Sequence, residues 1–325
     1  MKKRSFVAFK ISLAAIAAIL VADALNLQFY VSAGIVAVLS VAGTKKETMK
    51  TAASRFVAFL AALLIAAVCF AFLGVTITAF CVYLIFFILV CQIFQWNSAM
   101  AMDSVLISHF LSMGQMDYPG ILNELLLFAI GVGMGILVNL SLRKNLPYME
   151  QMKTETDEQI KVALHRMAER IMDADYPDYD GSCFLKLRKS VSLALAVAQE
   201  NYMNQFGQED TEDIAYITMR ANQIEVLHEM YKKVVTLQTK PVTAKALSDF
   251  LKKMAESYSE DNTVEGLLAE FYEMRAAMKK EILPADREEF EERAQLYGLM
   301  GNIEEFLKIK REYAIGLEKT IEKKS

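Results

Sequence analysis

The sequence predicts an all-α membrane protein in which a six-helix transmembrane bundle is followed by a soluble cytosolic helical bundle. Residues 1–144 hold 10 Lys and Arg and 5 Asp and Glu, whereas residues 145–325 hold 25 and 34. The first part also contains long apolar runs, and the second shows apolar residues at helical spacing. Because so abrupt a change marks a domain boundary, we expect a transmembrane domain over 1–144 and a cytosolic all-helical domain over 145–325. The change falls near Arg143–Pro147.

The apolar runs of the first half are typical of membrane spans. No Lys or Arg occurs from Phe56 to Leu142, and a soluble core helix would need a polar face that these runs lack. Each run is close to the length that crosses a hydrocarbon core of roughly 30 Å. The predicted spans are Phe6–Leu25, Leu27–Gly43, Phe56–Leu73, Val75–Phe94, Ser98–Met113 and Ile121–Leu142. The second is short and contains Ser32, Gly34 and Ser40, so a tilted, broken or partly re-entrant course stays open.

The distribution of basic residues predicts the orientation. With the N-terminus inside, all ten Lys and Arg of the first half fall on the cytosolic side and none falls on the other side. Both termini are therefore expected in the cytosol. An alternative remains, because Lys2–Arg4, the apolar run Ile11–Ala22 and the triplet Ala22-Asp23-Ala24 imitate a secretory signal with its cleavage site. Cleavage would leave five spans with the same later orientation.

The second half is predicted to form five or six amphipathic helices over residues 150–322. Breaks are expected at Asp175–Gly181, Gln205–Asp210 and Pro241. Asn262 with Glu265, and Asp286 with Glu289, have the spacing of helix N-caps with a reciprocal acidic partner.

Several classes of function find no support in the sequence. There is no Gly-rich phosphate loop, no paired catalytic motif such as His-Glu-x-x-His, and no metal-ligand spacing among the four cysteines. An EF-hand register in the acidic loop fails at Tyr176 and Leu187. We therefore expect no enzymatic activity, no cofactor, no metal and no nucleic-acid partner.

Ionisable residues inside the predicted fifth span are the first functional candidates. Asp103 and His109 would each cost roughly 3 kcal/mol to insert into a bilayer. Asn97, Ser104, Ser108 and Ser112 form a polar stripe on the same helix. The stripe and the ionisable groups either hold helices together or line a substrate or proton path. A histidine suits a proton path because it titrates near physiological pH. Asp23 and Glu124, near the outer ends of their spans, are expected to be exposed anchors.

The segment Thr44-Lys45-Lys46-Glu47 through Arg55 places basic residues at the cytosolic mouth. Membrane topology alone accounts for positive charge there, and an anion-attracting vestibule is the alternative.

These residues also carry a family resemblance. The run Tyr30-x-Ser-Ala-Gly-Ile-Val-Ala-Val, then Thr44-Lys45-Lys46-Glu47-Thr48 and Arg55, resembles the signature of the aromatic acid exporters, which are grouped with fusaric-acid-resistance-type membrane proteins. The family pattern has an aromatic residue at the start of the second span, a Thr at its end and an Arg eleven residues later. Ala58-Phe59 stand where family members usually have Gly-Thr. The resemblance covers the whole chain and is closest to short forms with one six-span half.

The resemblance implies proton-driven export of small aromatic or other organic anions across the bacterial cytoplasmic membrane. Arg55 with Lys45 and Lys46 would collect the anion. Asp103, Ser108 and His109 would line the path and couple protons, and Tyr30 would stack on the substrate or anchor the helix at the interface. Because larger relatives carry two such halves, a homo-oligomer is expected.

A rival interpretation makes the apolar half an oligomerising anchor. The cytosolic helices would then form a binding or sensory module with a cytosolic protein partner.

Overall fold

The computed structural model describes residues 2–41, 43–140, 146–176, 180–205, 210–237, 243–257 and 263–322. Within these ranges the chain forms twelve α-helices and no β-strand, which confirms the all-helical prediction. The helices fall into two compact units. The first unit consists of α1 Lys2–Ala24, α2 Val31–Ser40, α3 Lys45–Leu73, α4 Ile77–Ile93, α5 Met100–Met113 and α6 Tyr118–Leu140.

Each predicted span corresponds to one helix of the first unit, but the helices differ in length. By length and composition, three helices of the described chain can cross a membrane, namely α3, α6 and the Val7–Ala24 part of α1. The helices α2, α4 and α5 are apolar but only 10–17 residues long. At 1.5 Å per residue they extend about 15 to 26 Å, less than a hydrocarbon core. Membrane crossing by all six helices therefore stays a prediction.

Helix α3 differs from the predicted third span because it begins eleven residues earlier, at Lys45. The Thr44 side chain accepts a hydrogen bond of 3.3 Å from the Glu47 amide, which caps the helix at this point. The 29 residues extend about 44 Å, so the first turns reach beyond a hydrocarbon core. The basic segment expected to lie between two spans is thus part of the third helix.

Small residues allow close helix contacts within the first unit. A Cβ added at Gly131 of α6 would lie 2.5 Å from Val36 Cβ and 2.7 Å from the Ala33 carbonyl oxygen of α2. A Cβ added at Gly34 of α2 would lie 2.6 Å from Ile19 of α1. These distances are shorter than any real contact, so α2 packs tightly between α1 and α6 only because glycine stands at these positions.

The second unit is a helical bundle with its own apolar core. It consists of α7 Leu146–Met172, α8 Ser182–Met203, α9 Glu212–Val235, α10 Ala244–Glu256, α11 Glu265–Met278 and α12 Arg287–Glu322. The predicted breaks fall between helices, although Pro177 and Pro241 lie outside the described residues. Asp286 accepts a hydrogen bond of 2.8 Å from the Glu289 amide, which confirms this cap. The second predicted cap residue, Asn262, and the boundary residues Arg143 and Lys144 also lie outside the described residues.

Candidate functional site

Arg55 lies on α3, is 6% exposed and contacts the C-terminal end of α2. Its Nη1 donates hydrogen bonds to the Leu39 carbonyl oxygen at 2.7 Å and to Ser40 Oγ at 3.3 Å. The last carbonyl groups of a helix have no partner within the helix and carry negative partial charge, so a guanidinium group is favoured there. Arg55 Nε is buried and has no hydrogen-bond partner. The predicted anion collector is therefore a buried group and not part of an open vestibule.

Asp103 on α5 is fully buried, and neither of its carboxylate oxygens has a hydrogen-bond partner. The guanidinium group of Arg55 acts on it electrostatically. The fully buried hydroxyl group of Tyr83 on α4 lies near Ser104 and interacts with the Asp103 charge, but it makes no hydrogen bond of normal geometry. Arg55, Tyr83 and Asp103 form the carboxylate cluster, in which donors and acceptors are both left unsatisfied.

Unsatisfied groups of this kind are uncommon in folded proteins. Buried polar groups are hydrogen-bonded in about 90% of cases or more, and each exception costs about 1 to 3 kcal/mol. The carboxylate cluster contains two buried donors, Arg55 Nε–H and Tyr83 O–H, and a carboxylate acceptor, all without a hydrogen-bond partner. A cluster that retains such groups is suited to bind a polar group or a proton that arrives from outside.

His109 lies six residues after Asp103 on α5 and belongs to a different cluster, about 9 Å along the helix axis. Its Nδ1 lies 2.8 Å from Glu124 Oε2 of α6, and its Nε2 lies 3.1 Å from Ser32 Oγ of α2. The ring of Phe29 stacks on the imidazole with 4.2 Å between the ring centroids. Both ring nitrogens of His109 are therefore occupied, one by a carboxylate and the other by a hydroxyl group.

Glu124 is fully buried, so the expectation that it is an exposed anchor is wrong. Asn123 Nδ2 donates hydrogen bonds to Glu124 Oε1 and to the Gln28 carbonyl oxygen, both at 3.1 Å. Asp23, the other expected anchor, is exposed. His109, Glu124, Ser32, Phe29 and Asn123 form the histidine cluster.

A polar cavity of about 330 Å³ adjoins the histidine cluster. Gln28 and Asn123 line it together with Asp117 and residues at the ends of α1, α5 and α6. The Asn123 amide thus contacts both the cavity and the Glu124 carboxylate. Asn123 therefore lies between the cavity and the buried His109–Glu124 pair.

The predicted polar stripe of α5 does not form the buried face of that helix. Ser108 is half-buried and donates a hydrogen bond of 2.7 Å to the Val105 carbonyl oxygen of its own helix. Ser104 is also half-buried, while Asn97 and Ser112 are exposed. The buried face instead carries the two ionisable residues of the helix, Asp103 and His109.

The remaining predicted residues lie apart from the carboxylate cluster. Tyr30 is at the N-terminal end of α2 and is 41% exposed, whereas Arg55 contacts the other end of this ten-residue helix, about 15 Å away. Lys45 and Lys46 are half-buried in the first turn of α3. The structure therefore brings Arg55 and Asp103 close enough to interact electrostatically, whereas Tyr30 lies at the other end of α2.

Sequence reasoning missed Tyr83, Phe29 and Ser32 as site residues, as well as the burial of Glu124. One signal for Glu124 was present, because it lies seven and eleven residues before Gly131 and Gly135. These spacings place all three on one side of α6, the side that packs closely on α2. No comparable spacing links Tyr83 to Asp103, since the two lie on different helices.

In the part of the chain that is described, no group of three or more His, Cys, Asp or Glu side chains could hold a metal ion. The carboxylate cluster combines one carboxylate with a guanidinium group and a phenol. Such a set recognises an anion or a proton better than a cation.

Both units match known protein families. Residues 3–142 match the family described as "Aromatic acid exporter family member 1", and residues 148–311 match the "Putative aromatic acid exporter C-terminal domain". A Bacillus subtilis (strain 168) protein, described as "Uncharacterized protein YqjA", is 26% identical over 314 residues, covering 95% of this chain and 96% of that protein. A crystal structure of a "putative membrane protein from Clostridium difficile 630" is 24% identical, with a TM-score of 0.45, and covers 51% of this chain and 99% of the other. With both family matches confirming the resemblance seen at Tyr30, Thr44 and Arg55, this chain is a membrane protein that belongs to the aromatic acid exporter family.

Proposed function

We propose that this protein is a secondary exporter of small aromatic or other organic anions, coupled to the transmembrane proton gradient. The observation that carries the proposal is the fully buried Asp103 carboxylate, which faces Arg55 and has no hydrogen-bond partner. A carboxylate in this setting favours a role in a transport path over a structural role, because a structural group would be paired or hydrogen-bonded.

Arg55 and Asp103 link the binding of an anion to the binding of a proton. While Asp103 is ionised, its negative charge offsets part of the Arg55 charge. When Asp103 takes up a proton, the guanidinium charge becomes available to the carboxylate of a substrate. The protonation state of Asp103 thus sets how strongly the cluster attracts an organic anion. In the export cycle Asp103 takes up its proton from the outside and the anion binds from the cytosol. Release of the proton to the cytosol restores the negative carboxylate, which expels the anion outward, so one proton enters for each anion that leaves.

The membrane potential acts in the direction of export. An interior that is negative by 100 mV favours outward movement of a single negative charge by about 2.3 kcal/mol. The His109–Glu124 pair is the second proton-binding group, and Ser104 and Ser108 lie between the two clusters on α5. Lys45 and Lys46 raise the local concentration of anions at the start of α3.

The topology that goes with this function has α1–α6 crossing the bacterial cytoplasmic membrane, with both termini in the cytosol. Large apolar side chains on the surface of the first unit support contact with lipid, for example Phe72 at 85% and Ile77 at 77% exposure. The short helices α2 and α5 are accommodated by a locally thin bilayer or by neighbouring copies. A homo-oligomer would provide such neighbours.

The test is uptake of a panel of aromatic acids into inverted membrane vesicles, with and without the protein and with and without an uncoupler. We expect protein-dependent accumulation that the uncoupler abolishes. Asp103→Asn keeps the shape of the side chain but cannot ionise, so it should lower the proton-dependent rate roughly tenfold or more, a loss of about 1.4 kcal/mol in the transition state.

The matched control is Asp23→Asn, which makes the same change at an exposed position of the same unit. It should transport normally. Full proton-dependent export by a correctly inserted Asp103→Asn protein would disprove the assignment of Asp103. Absence of accumulation for every acid would disprove export and favour the membrane-anchored binding module.

A further inference from the structure

The second unit contains a cavity of about 230 Å³ between the last turns of α11 and the first turns of α12. Three basic side chains line it, Arg275, Lys279 and Arg293, and the described lining residues include no acidic side chain. This composition is unusual here, because residues 145–325 hold 34 acidic and 25 basic residues. A local excess of positive charge in an acidic unit requires a specific explanation.

The positive charges of the cavity are only partly neutralised by the surrounding protein. Arg275 Nη1 lies 2.8 Å from Glu304 Oε2, but the same carboxylate also pairs with Lys308 at 2.6 Å. Lys279 is exposed and makes no ion pair within the described part of the chain. Arg275, through its hydrogen bond, and Lys279 lower the pKa of Tyr297 below its ordinary value, as expected in a positive potential.

Apolar groups form another wall of the same cavity. Leu296 and Met300 are almost fully buried at 1% and 4% exposure, and both line it. The Tyr297 ring lies beside them, with the Arg275 guanidinium carbon 5.6 Å from the ring centroid. A ligand that is complementary to both the basic and the apolar wall has a negative group at one end and an apolar body at the other.

The site is held in shape before a ligand arrives. Arg293 donates a hydrogen bond of 2.6 Å to the Ile282 carbonyl oxygen and pairs with Glu289, which also accepts from the Ala285 amide. This network fixes the segment between α11 and α12 against the first turns of α12. Preorganisation lowers the entropy cost of binding, so a small ligand needs fewer contacts.

We propose that this basic cavity is a second binding site, for a small organic anion with an apolar body of one or two rings, such as an arene carboxylate. Lys279 and Arg275 bind the anionic group, and Leu296, Tyr297 and Met300 contact the body. The cavity volume suits a molecule smaller than most drug ligands, whose pockets begin near about 300 Å³. The proposal does not rest on transport, since every residue in it belongs to the second unit.

The test is calorimetric titration of the purified full-length protein with 2-naphthoate, 2-naphthamide and inorganic phosphate. We expect 2-naphthoate to bind at least tenfold more tightly than either of the others, because only it offers both a charge and an apolar body. Lys279→Ala should weaken 2-naphthoate binding roughly tenfold, since it removes a charge-assisted contact. Lys280→Ala is the matched control, an exposed neighbour that does not line the cavity, and should bind like the unchanged protein.

Further variants separate this site from the carboxylate cluster. Arg55→Gln removes the anion-binding group of the carboxylate cluster, so 2-naphthoate binding that remains in this variant reports the second site. Adding Tyr297→Leu to it should weaken this binding, because the ring contacts the body of the ligand. Circular dichroism and thermal melting establish that each variant is folded. Unchanged binding when Lys279→Ala is added to Arg55→Gln, loss of all binding in Arg55→Gln alone, or equal affinity for phosphate and 2-naphthoate would each overturn the proposal.

Discussion

Arg220 in the second unit and Asp103 in the first are both fully buried, but only Arg220 has hydrogen-bond partners for its charged group. Arg220 Nε and Nη2 lie 2.8 and 3.0 Å from the two carboxylate oxygens of Asp157, and Nη2 also bonds the Tyr216 hydroxyl group at 2.8 Å. Its Nη1 donates to Gln223 at 2.8 Å. Both oxygens of Asp103, in contrast, are without a hydrogen bond.

The contrast distinguishes a charge with a structural role, that of Arg220, from a charge that can still bind a ligand or a proton, that of Asp103. The network around Arg220 joins α7 to α9, and Gln223 extends it to α12 through the Phe306 carbonyl oxygen. Nothing could bind there without breaking a contact. Around Asp103 a ligand or proton would gain contacts and break none of its hydrogen bonds. The His109–Glu124 pair resembles Arg220, since both ring nitrogens of His109 and both carboxylate oxygens of Glu124 have hydrogen-bond partners.

The largest expected effect is on the stability of the second unit. Asp157→Ala removes the partner of the fully buried Arg220 and leaves an uncompensated charge, so we expect a loss of about 3 to 5 kcal/mol in the free energy of unfolding. Denaturant unfolding of the full-length protein in detergent measures this loss in the free energy of unfolding. Glu229→Ala, at an exposed pair with Lys232, is the control. A loss below about 1 kcal/mol would show that the network is not structural.

Two carboxylates of the first unit sharpen the comparison further. Glu124→Gln disturbs hydrogen bonds to His109 and Asn123, so it should destabilise the protein by about 1.5 to 3 kcal/mol. Asp103→Asn disturbs no hydrogen bond and removes a buried charge, but it also removes the negative charge that acts on Arg55. These two effects oppose each other, so stability should change less than in Glu124→Gln. The melting temperatures of the two variants, measured side by side, show whether Glu124→Gln is the more destabilising. Equal destabilisation would mean that Asp103 is as structural as Glu124.

Close packing in the first unit predicts a third difference. A Cβ at Gly131 would overlap Val36 on α2, so Gly131→Ala should cost roughly 1 to 3 kcal/mol through overpacking. Gly133, two residues away on α6, has open space at the same position. Gly133→Ala should be neutral or stabilising by up to about 1 kcal/mol, because alanine favours the helix. Melting temperatures that move together would contradict the contact between α2 and α6.

The smallest effect is expected for an exposed ion pair of the second unit. Arg188 contacts Glu225 through two hydrogen bonds of 2.8 and 2.7 Å, and this contact lowers the pKa of Glu225 below its ordinary value. Arg188→Ala should therefore cost under about 1 kcal/mol at neutral pH. The lowered pKa means that this contribution is present above the ordinary pKa of glutamate and is lost as the pH falls through the folded value. Unfolding free energies at neutral and acidic pH check this, and a difference that persists in acid would exclude the ion pair as its cause.

The apolar segments, the helix breaks and the family of the chain could all be predicted from the amino-acid sequence alone. Apolar runs such as Val75–Phe94, the cap at Asp286 and the helical spacing of Gly131 and Gly135 depend on neighbours along the chain, and each can be recognised from local pattern. The start of α3 could not be predicted from hydropathy, which marks the edge of the apolar region, whereas the helix itself begins where Thr44 caps it.

The tertiary structure alone decided which polar residues meet. His109 and Glu124 come from different helices, as do Arg55, Tyr83 and Asp103, and their contacts depend on how α2 to α6 are rotated and packed. Helical spacing fixes which residues share a face, but it does not fix which face a neighbouring helix covers. The serine stripe of α5 was therefore visible in the sequence, whereas only packing placed Asp103 and His109 on the buried face and left the Asp103 carboxylate unpaired.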